Sequence, residues 1–535
     1  MKDAWNFAGL DDFWPRYEPL SPWARDERDE RKVFTDQAAI EQRYDDLEAA
    51  AAFLDRAKAD PVALDRVAYH LKRMPRLPLA PKDEYELLEL FQIKKFLANY
   101  RSLLAALDDE ARSRFGLRPA AADLAAELDR GGSDAETFYL ADSYSPALKD
   151  CRAGLALLDE RLSYANEAAA AEIKSLLGIN FDGRDFLIVA RAALEPEAVH
   201  RARCLAEPYD DERLLVRPAP RAELIALSEA REGLLERERY AEAAVIRMLS
   251  ALAAAAMPEL KAAVEAVTRW DLARAGALLA AATGATRPIL GAGALELHAG
   301  RFIPCQDECA ALGLGYTPLD ARFEGNAIVL FGSNMGGKTV ALKTLLFMQL
   351  LAQAGLFVPA ARFSTRVYPD IQYIGELSGE RLAGLSGFGF EVWRFQEALA
   401  KGSGALIAFD EPARTTGSHE AEALLSALVE AYGKGKGDGA SRALFATHFR
   451  GVARVPGAEY WRMRGLDRIA ACQALDADAP LAERLSGINR HMRYELKADA
   501  AEGPPESDAL AIASMLGLDC AIVERAEFYF KNAAF

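Results

Sequence analysis

Basic charge is in deficit along this 535-residue chain: 64 Lys and Arg stand against 80 Asp and Glu, a formal net charge of −16. Proteins that grip nucleic acid draw most of their non-specific affinity from neutralised phosphates. The balance therefore argues against extended DNA contact and leaves room only for a local basic patch. Long apolar runs are missing too. None approaches the length of about 20 residues that a helix needs to cross a bilayer; the longest candidate, Met248 to Met257, is an alanine-rich stretch. The N-terminus carries acids where a secretory leader would carry a basic and then an apolar segment, so a cytoplasmic protein with no membrane role is expected. Cysteines are few, at 151, 204, 305, 309, 472 and 520, with no C-x-x-C pair. That excludes a disulfide framework in a chain this large. Cys305 and Cys309 could share a helix face, but no His or third Cys stands at metal-ligand spacing, so they read as small apolar residues.

What is present points to two to four domains, since the chain is too long for one. Residues 1–80 are charged, dotted with aromatics and broken by prolines, and are expected to form an irregular helical segment capping the core. From Lys82 to Leu107, apolar residues at 90, 93, 96, 97, 100, 103 and 104 recur at helical spacing. Asp185 to Ala190 reads as a short strand after a turn. Arg221 to Met257 is rich in Ala, Leu, Glu and Arg, strong helix formers, with Leu234, Ala241, Val245, Met248, Leu249 and Leu252 marking an apolar stripe. Pro258 is expected to end that helix and a second one to start at Glu259. The region 81–290 is thus a helical domain. Beyond Pro288, glycines and short β-branched runs alternate with helical patterns, which predicts an α/β domain with a mostly parallel sheet over 291–535.

The chemistry-bearing motifs lie in that last region. Asn326 to Phe331 is a β-branched run of the kind that forms a buried central strand. It leads into G-S-N-M-G-G-K-T over 332–339, which fits the phosphate-binding G-x-x-x-x-G-K-[ST] loop, and an apolar helix follows. Gly332 and Gly337 allow turns that point the amides of Ser333, Asn334, Met335 and Gly336 at phosphate oxygens. Lys338 would reach the β- and γ-phosphates of ATP, and the Thr339 hydroxyl would ligate Mg²⁺. By composition such a match arises by chance in about 2 of 100 chains this long, and the strand–loop–helix order makes chance rarer still. A second strand, Ala405 to Phe409, ends in Asp410-Glu411. There Asp410 would hold Mg²⁺ through water and Glu411 would polarise an attacking water. A third, Arg442 to Ala446, ends in Thr447-His448, where the imidazole could sense a γ-phosphate. The Gly433–Gly439 stretch reads as a surface loop.

Together these residues resemble the MutS family of ABC-type ATPases. The run GSNMGGKTVALKTLLFMQLLAQAGLFVPA (332–360) looks like its nucleotide loop and helix, DEPARTTGS (410–418) like its metal-acid strand and interface loop, and ATHF (446–449) like its histidine switch. Ile374-Gly375 and SGFGFEV (386–392) are similar to the segment carrying its signature serine. Specific resemblance covers about 290–530, with a looser likeness to the family's core, lever and clamp over 85–285. It implies that Tyr316 stacks on adenine, that Ser386 and one of Thr415, Thr416 or Ser418 act across a subunit interface, and that the chain works as a homodimer or with a related ATPase subunit. Residues 1–80 are too short for a mismatch-reading domain, and the clamp, about Phe186 to Glu223, is short. Within the family, FDGRDFLIVAR (181–191) and RYELKADAAEGPPESDALAIASMLGLD (493–519) look like the ATPases that reactivate adenosylcobalamin-dependent lysine 5,6-aminomutase. The expected function is therefore an ATP-hydrolysing dimer that remodels a client, leaning to an aminomutase; the alternative is a DNA-structure-binding or mismatch-repair homologue.

Overall fold

The computed structural model of the protein describes residues 1–130, 139–332, 336–375, 387–400, 404–414, 416–435, 440–468, 470–471, 488, 490–499 and 508–532. They fall into two compact units. One comprises residues 1–68, 107–117 and 266–535; the other comprises residues 69–106 and 118–265.

The second unit is mainly helical. The expected helix after Lys82 spans Leu87–Ala106, and the predicted apolar positions Leu90, Ile93, Phe96, Leu97, Tyr100, Leu103 and Leu104 are all buried. Helix Pro146–Leu177 and the 62-residue helix Ala222–Thr283 are tied by ion pairs. Arg152 meets Glu238 and Glu242 at 2.8 and 2.9 Å, Arg231 meets Asp159 at 2.6 Å, and Arg221 meets Glu172 at 2.8 Å. One partner number rises as the other falls, so the two helices run antiparallel. Between them, β1 (Leu187–Ala190), β2 (Cys204–Pro208) and β3 (Arg213–Pro218) form an antiparallel sheet in the order β1-β3-β2. Ile173, Phe181, Leu194, Val199, Cys204 and Val216 fill its small core.

Pro258 does not end the long helix, as the sequence led us to expect; it sits inside it. The lost amide and the ring clash cost helix stability. The alanine-rich flanks and a stripe of buried side chains (Val245, Leu249, Ala253, Met257, Leu260, Val264 and Val267) hold the helix through the proline. Met248, assigned to the apolar stripe, is 38% exposed, because the true stripe runs from Val245 in steps of four and three that pass it by. By length and hydropathy this helix alone among the described ones could cross a membrane, yet 39% of its most apolar window is buried within the protein.

The first unit contains the α/β fold. A six-stranded sheet is made of β7 (Ala327–Phe331), β9 (Ile371–Ile374), β10 (Leu406–Asp410), β11 (Arg442–Thr447), β12 (Ala458–Leu466) and β13 (Met492–Ala498). Their order is β13-β12-β7-β11-β10-β9, parallel except for β13. Every residue of β7, β9 and β11 is buried, as a parallel sheet covered on both faces requires. A second sheet, β4 (Ile289–Leu290), β5 (Leu295–Gly300), β6 (Leu319–Phe323) and β8 (Arg362–Thr365), runs in the order β4-β8-β5-β6. Helix Ser418–Gly433 packs Leu425, Val429 and Tyr432 on Phe409 and Phe445.

Residues 1–68 belong to this same unit and do not end as a segment at residue 80. Aromatics scattered through them find partners far along the chain. Phe13 packs edge-on against Phe347 at 4.9 Å, and the Tyr44 hydroxyl donates to the Ala352 carbonyl at 2.7 Å. The amides of Leu20 and Ser21 donate to the buried Asp271 carboxylate at 2.7 and 2.6 Å. The unit also begins at Ala266, ahead of the composition change near 290, because the end of the long helix supplies core. Trp270, fully buried, meets Phe53 and Phe115 edge-to-face, each at 5.1 Å. Trp270→Ala is expected to cost about 3–5 kcal/mol, read as a lower midpoint in thermal unfolding; an unchanged midpoint would contradict this packing.

Candidate nucleotide site

Strand order assembles the site. β10, β11 and β7 are neighbours in register, with Asp410 level with Ala446 and Thr447 level with Phe331. Their C-terminal ends, where α/β sheets bind ligands, therefore deliver Gly332, His448 and Asp410-Glu411 to one place.

After β7 the backbone passes Gly336 and Gly337 and enters helix Lys338–Gln353. Gly337 has φ of +86°, and a Cβ there would lie 2.8 Å from the Tyr494 ring. Conformation and space both demand glycine. Lys338 is 3% exposed. Its ammonium donates to the Gly332 carbonyl at 2.9 Å and stands 3.5 Å from Glu411 Oε1. Burial pushes its pKa below the usual lysine range, with the charge of Glu411 opposing. The Thr339 hydroxyl donates to Asp410 Oδ1 at 3.2 Å. Burial raises the pKa of Asp410, opposed by that hydrogen bond. Both groups pay desolvation in the free protein that a phosphate chain and a cation would relieve.

Glu411 and Ala413 hold φ of +52° and +62°, a region that side-chain-bearing residues adopt at a cost of about 1–3 kcal/mol. Two hydrogen bonds hold them there: the Glu411 amide donates to the Ala446 carbonyl at 2.9 Å, and the Ala413 amide to Glu391 Oε1 at 2.6 Å. His448 Nδ1 lies 3.5 Å from Glu411 Oε1. One carboxylate oxygen thus sits between the lysine and the histidine.

A cavity of about 270 Å³ opens beside Gly337–Val340. Tyr316 lines it; its hydroxyl accepts from the Phe302 amide at 2.7 Å, and burial raises its pKa to about 12. Met463 and Tyr494 line it too. Sequence reasoning gave these two no role, because they arrive on β12 and β13 through long-range strand pairing that no local motif signals. Cys305 and Cys309 share a helix face on the same wall, and burial pushes the Cys305 thiol up to about 11. Among the described residues, no group of three or more His, Cys, Asp or Glu is arranged to hold a metal. One carboxylate and one hydroxyl suit Mg²⁺, which keeps several waters and takes its remaining ligands from phosphate; Thr339 and Asp410 are such a pair.

Ser333, Asn334, Met335, Ser386 and Thr415 lie outside the described residues, as do 436–439 of the glycine-lysine stretch. Thr416 is turned to Glu420, its hydroxyl donating at 2.8 Å, and Ser418 starts the next helix.

A glycine turn, an acid pair and a histidine stand at the ends of three adjacent strands, and residues 328–532 match the MutS domain V family. The chain is 32% identical over 205 residues to the DNA mismatch repair protein MutS of Caulobacter vibrioides, covering 37% of this chain and 22% of that protein. It is 28% identical over 391 residues to DNA mismatch repair protein MutS 2 of Halobacterium salinarum (68% and 42%), and 31% identical over 314 residues to endonuclease MutS2 of Geobacillus thermodenitrificans (56% and 35%). The chain is thus similar to MutS and MutS2 proteins, most specifically over the domain V match. The chain spans less than half the length of these relatives.

Proposed function

We propose that residues 291–535 form a P-loop ABC-type domain that binds ATP with Mg²⁺ and hydrolyses it, in a cytoplasmic protein working as a homodimer or with a related ATPase subunit. One observation carries this reading: Lys338, Thr339, Asp410, Glu411 and His448 meet at the ends of β7, β10 and β11. In this reading Lys338 leaves Glu411 for the β- and γ-phosphates, and Tyr316, Met463 and Tyr494 enclose the base. Thr339 and Asp410 would hold Mg²⁺, which would supply positive charge against the phosphates. Glu411, released from the lysine, orients and deprotonates water for attack on the γ-phosphorus as its bond to the bridging oxygen breaks and ADP leaves, while His448 stays beside that carboxylate. Ser386 and the 415–418 segment of a partner would cover the nucleotide.

For the client, the relatives named above favour DNA, since they are mismatch repair proteins and an endonuclease by name. None of them is a reactivase, so the lean toward an aminomutase gives way to the DNA alternative. A protein client remains the second reading on one observation. Residues 186–223, the clamp, carry six arginines and seven carboxylates, and Arg213 and Arg217 are paired with Asp210 and Glu207. No excess of basic charge is offered there to a duplex. Two measurements on the purified chain test the proposal. Phosphate release from ATP should require Mg²⁺, and fluorescence anisotropy of a branched duplex should rise on binding and fall steeply with salt. Absence of Mg²⁺-dependent turnover overturns the ATPase; a flat anisotropy trace at low salt removes DNA and leaves the protein client.

A further inference from the structure

A short helix near the start of the chain is connected to the site's acid loop. Helix Lys2–Phe7 stacks the Phe7 ring on Tyr373 of β9, with centroids 3.8 Å apart and planes at 15°. The Lys343 ammonium lies over the Phe7 ring, 5.5 Å from its centroid. Lys343 belongs to the helix that opens with Lys338, and its charge opposes the effect of burial at Asp410. On the same short helix, the Asp3 carboxylate accepts from Arg394 Nη2. Arg394 also donates to the Tyr373 and Gly375 carbonyls at 3.2 and 3.4 Å, so it joins β9 to helix Gly387–Ala400. One turn before Arg394 on that helix stands Glu391, which holds the Ala413 amide at 2.6 Å.

The route from Asp3 therefore runs through Arg394 and Glu391 to Ala413, the positive-φ residue two positions after Glu411. A residue in that region persists only where its surroundings over-determine it. Glu391 supplies one restraint, and its own helix is fixed at Arg394. Phe7 supplies a parallel restraint through Tyr373 and Lys343.

We propose that helix Lys2–Phe7 is a brace, with Asp3 and Phe7 as positioning residues that hold helix Gly387–Ala400 and so aim the Glu411 carboxylate for hydrolysis. The proposal rests on the ATPase reading for its kinetic consequence and on geometry alone for its structural one.

Asp3→Ala and Phe7→Ala in the full chain should each lower kcat by about 10-fold or more, as small displacements of a catalytic group do. Affinity for a fluorescent ATP analogue and the unfolding midpoint should stay at the parent's values. Asp3→Glu and Phe7→Tyr should restore turnover. Hydrogen exchange by mass spectrometry, without nucleotide, should show faster exchange across 410–414 in the two alanine variants. Unchanged kcat, a parallel loss of affinity and thermal stability that the conservative variants do not rescue, or unchanged exchange at 410–414 would each overturn the brace. If the parent chain turns over no ATP, the ATPase reading falls and the exchange measurement alone decides the brace.

Discussion

Lys338→Ala is expected to weaken ATP binding by about 100-fold or more, since a charge-assisted contact to two phosphates is worth roughly 3 kcal/mol. The free protein explains why the loss should be specific. Lys338 is buried, held by the Gly332 carbonyl and near Glu411, and burial already disfavours its charge. Removing it takes away a desolvated cation along with its hydrogen bond, so folding should suffer far less than binding. Equilibrium titration with a fluorescent ATP analogue, beside a thermal melt, separates the two. Affinity left at the parent's value would remove the phosphate loop from the reading.

Glu411→Gln is expected to lower kcat by about 10³-fold, within the range that general-base residues contribute, while ATP binding persists. The amide matches the carboxylate in shape and can still reach His448 and Lys338, which lie 3.5 Å from the present oxygen. It cannot take a proton from water. Bound ATP should then outlast the measurement in a rapid-quench single turnover, and the nucleotide-loaded dimer should persist in size-exclusion chromatography. Turnover at the parent's rate would transfer the role of base to another group, with His448 the nearest.

The two substitutions act on residues that were legible early, and the reason is local. The glycine loop, its lysine and its threonine occupy eight consecutive positions whose chemistry is set by neighbours in the chain. The strands on either side announce themselves by unbroken β-branched or apolar runs, and β7, β10 and β11 fall within a residue of where those runs place them. Tyr494 and Met463 were not legible. They reach the cavity because β13 pairs with β12 and β12 with β7, and pairing at such separation leaves no periodic mark. Pro258 misled for a related reason: propensity reads a proline as an end, whereas the buried stripe from Val245 to Val267 outweighs it.

The order of residues alone set the chemistry available to this protein, because phosphate and metal recognition depend on side chains and turns only a few positions apart. Tertiary structure decided where that chemistry converges. Parallel pairing of β10, β11 and β7 brings Lys338 and His448 each to 3.5 Å from Glu411, and residues 1–68 fold onto the α/β unit because their aromatics find their apolar partners there. Burial of those rings is non-directional and acts at any sequence distance, so only the assembled fold reveals which surface they cover.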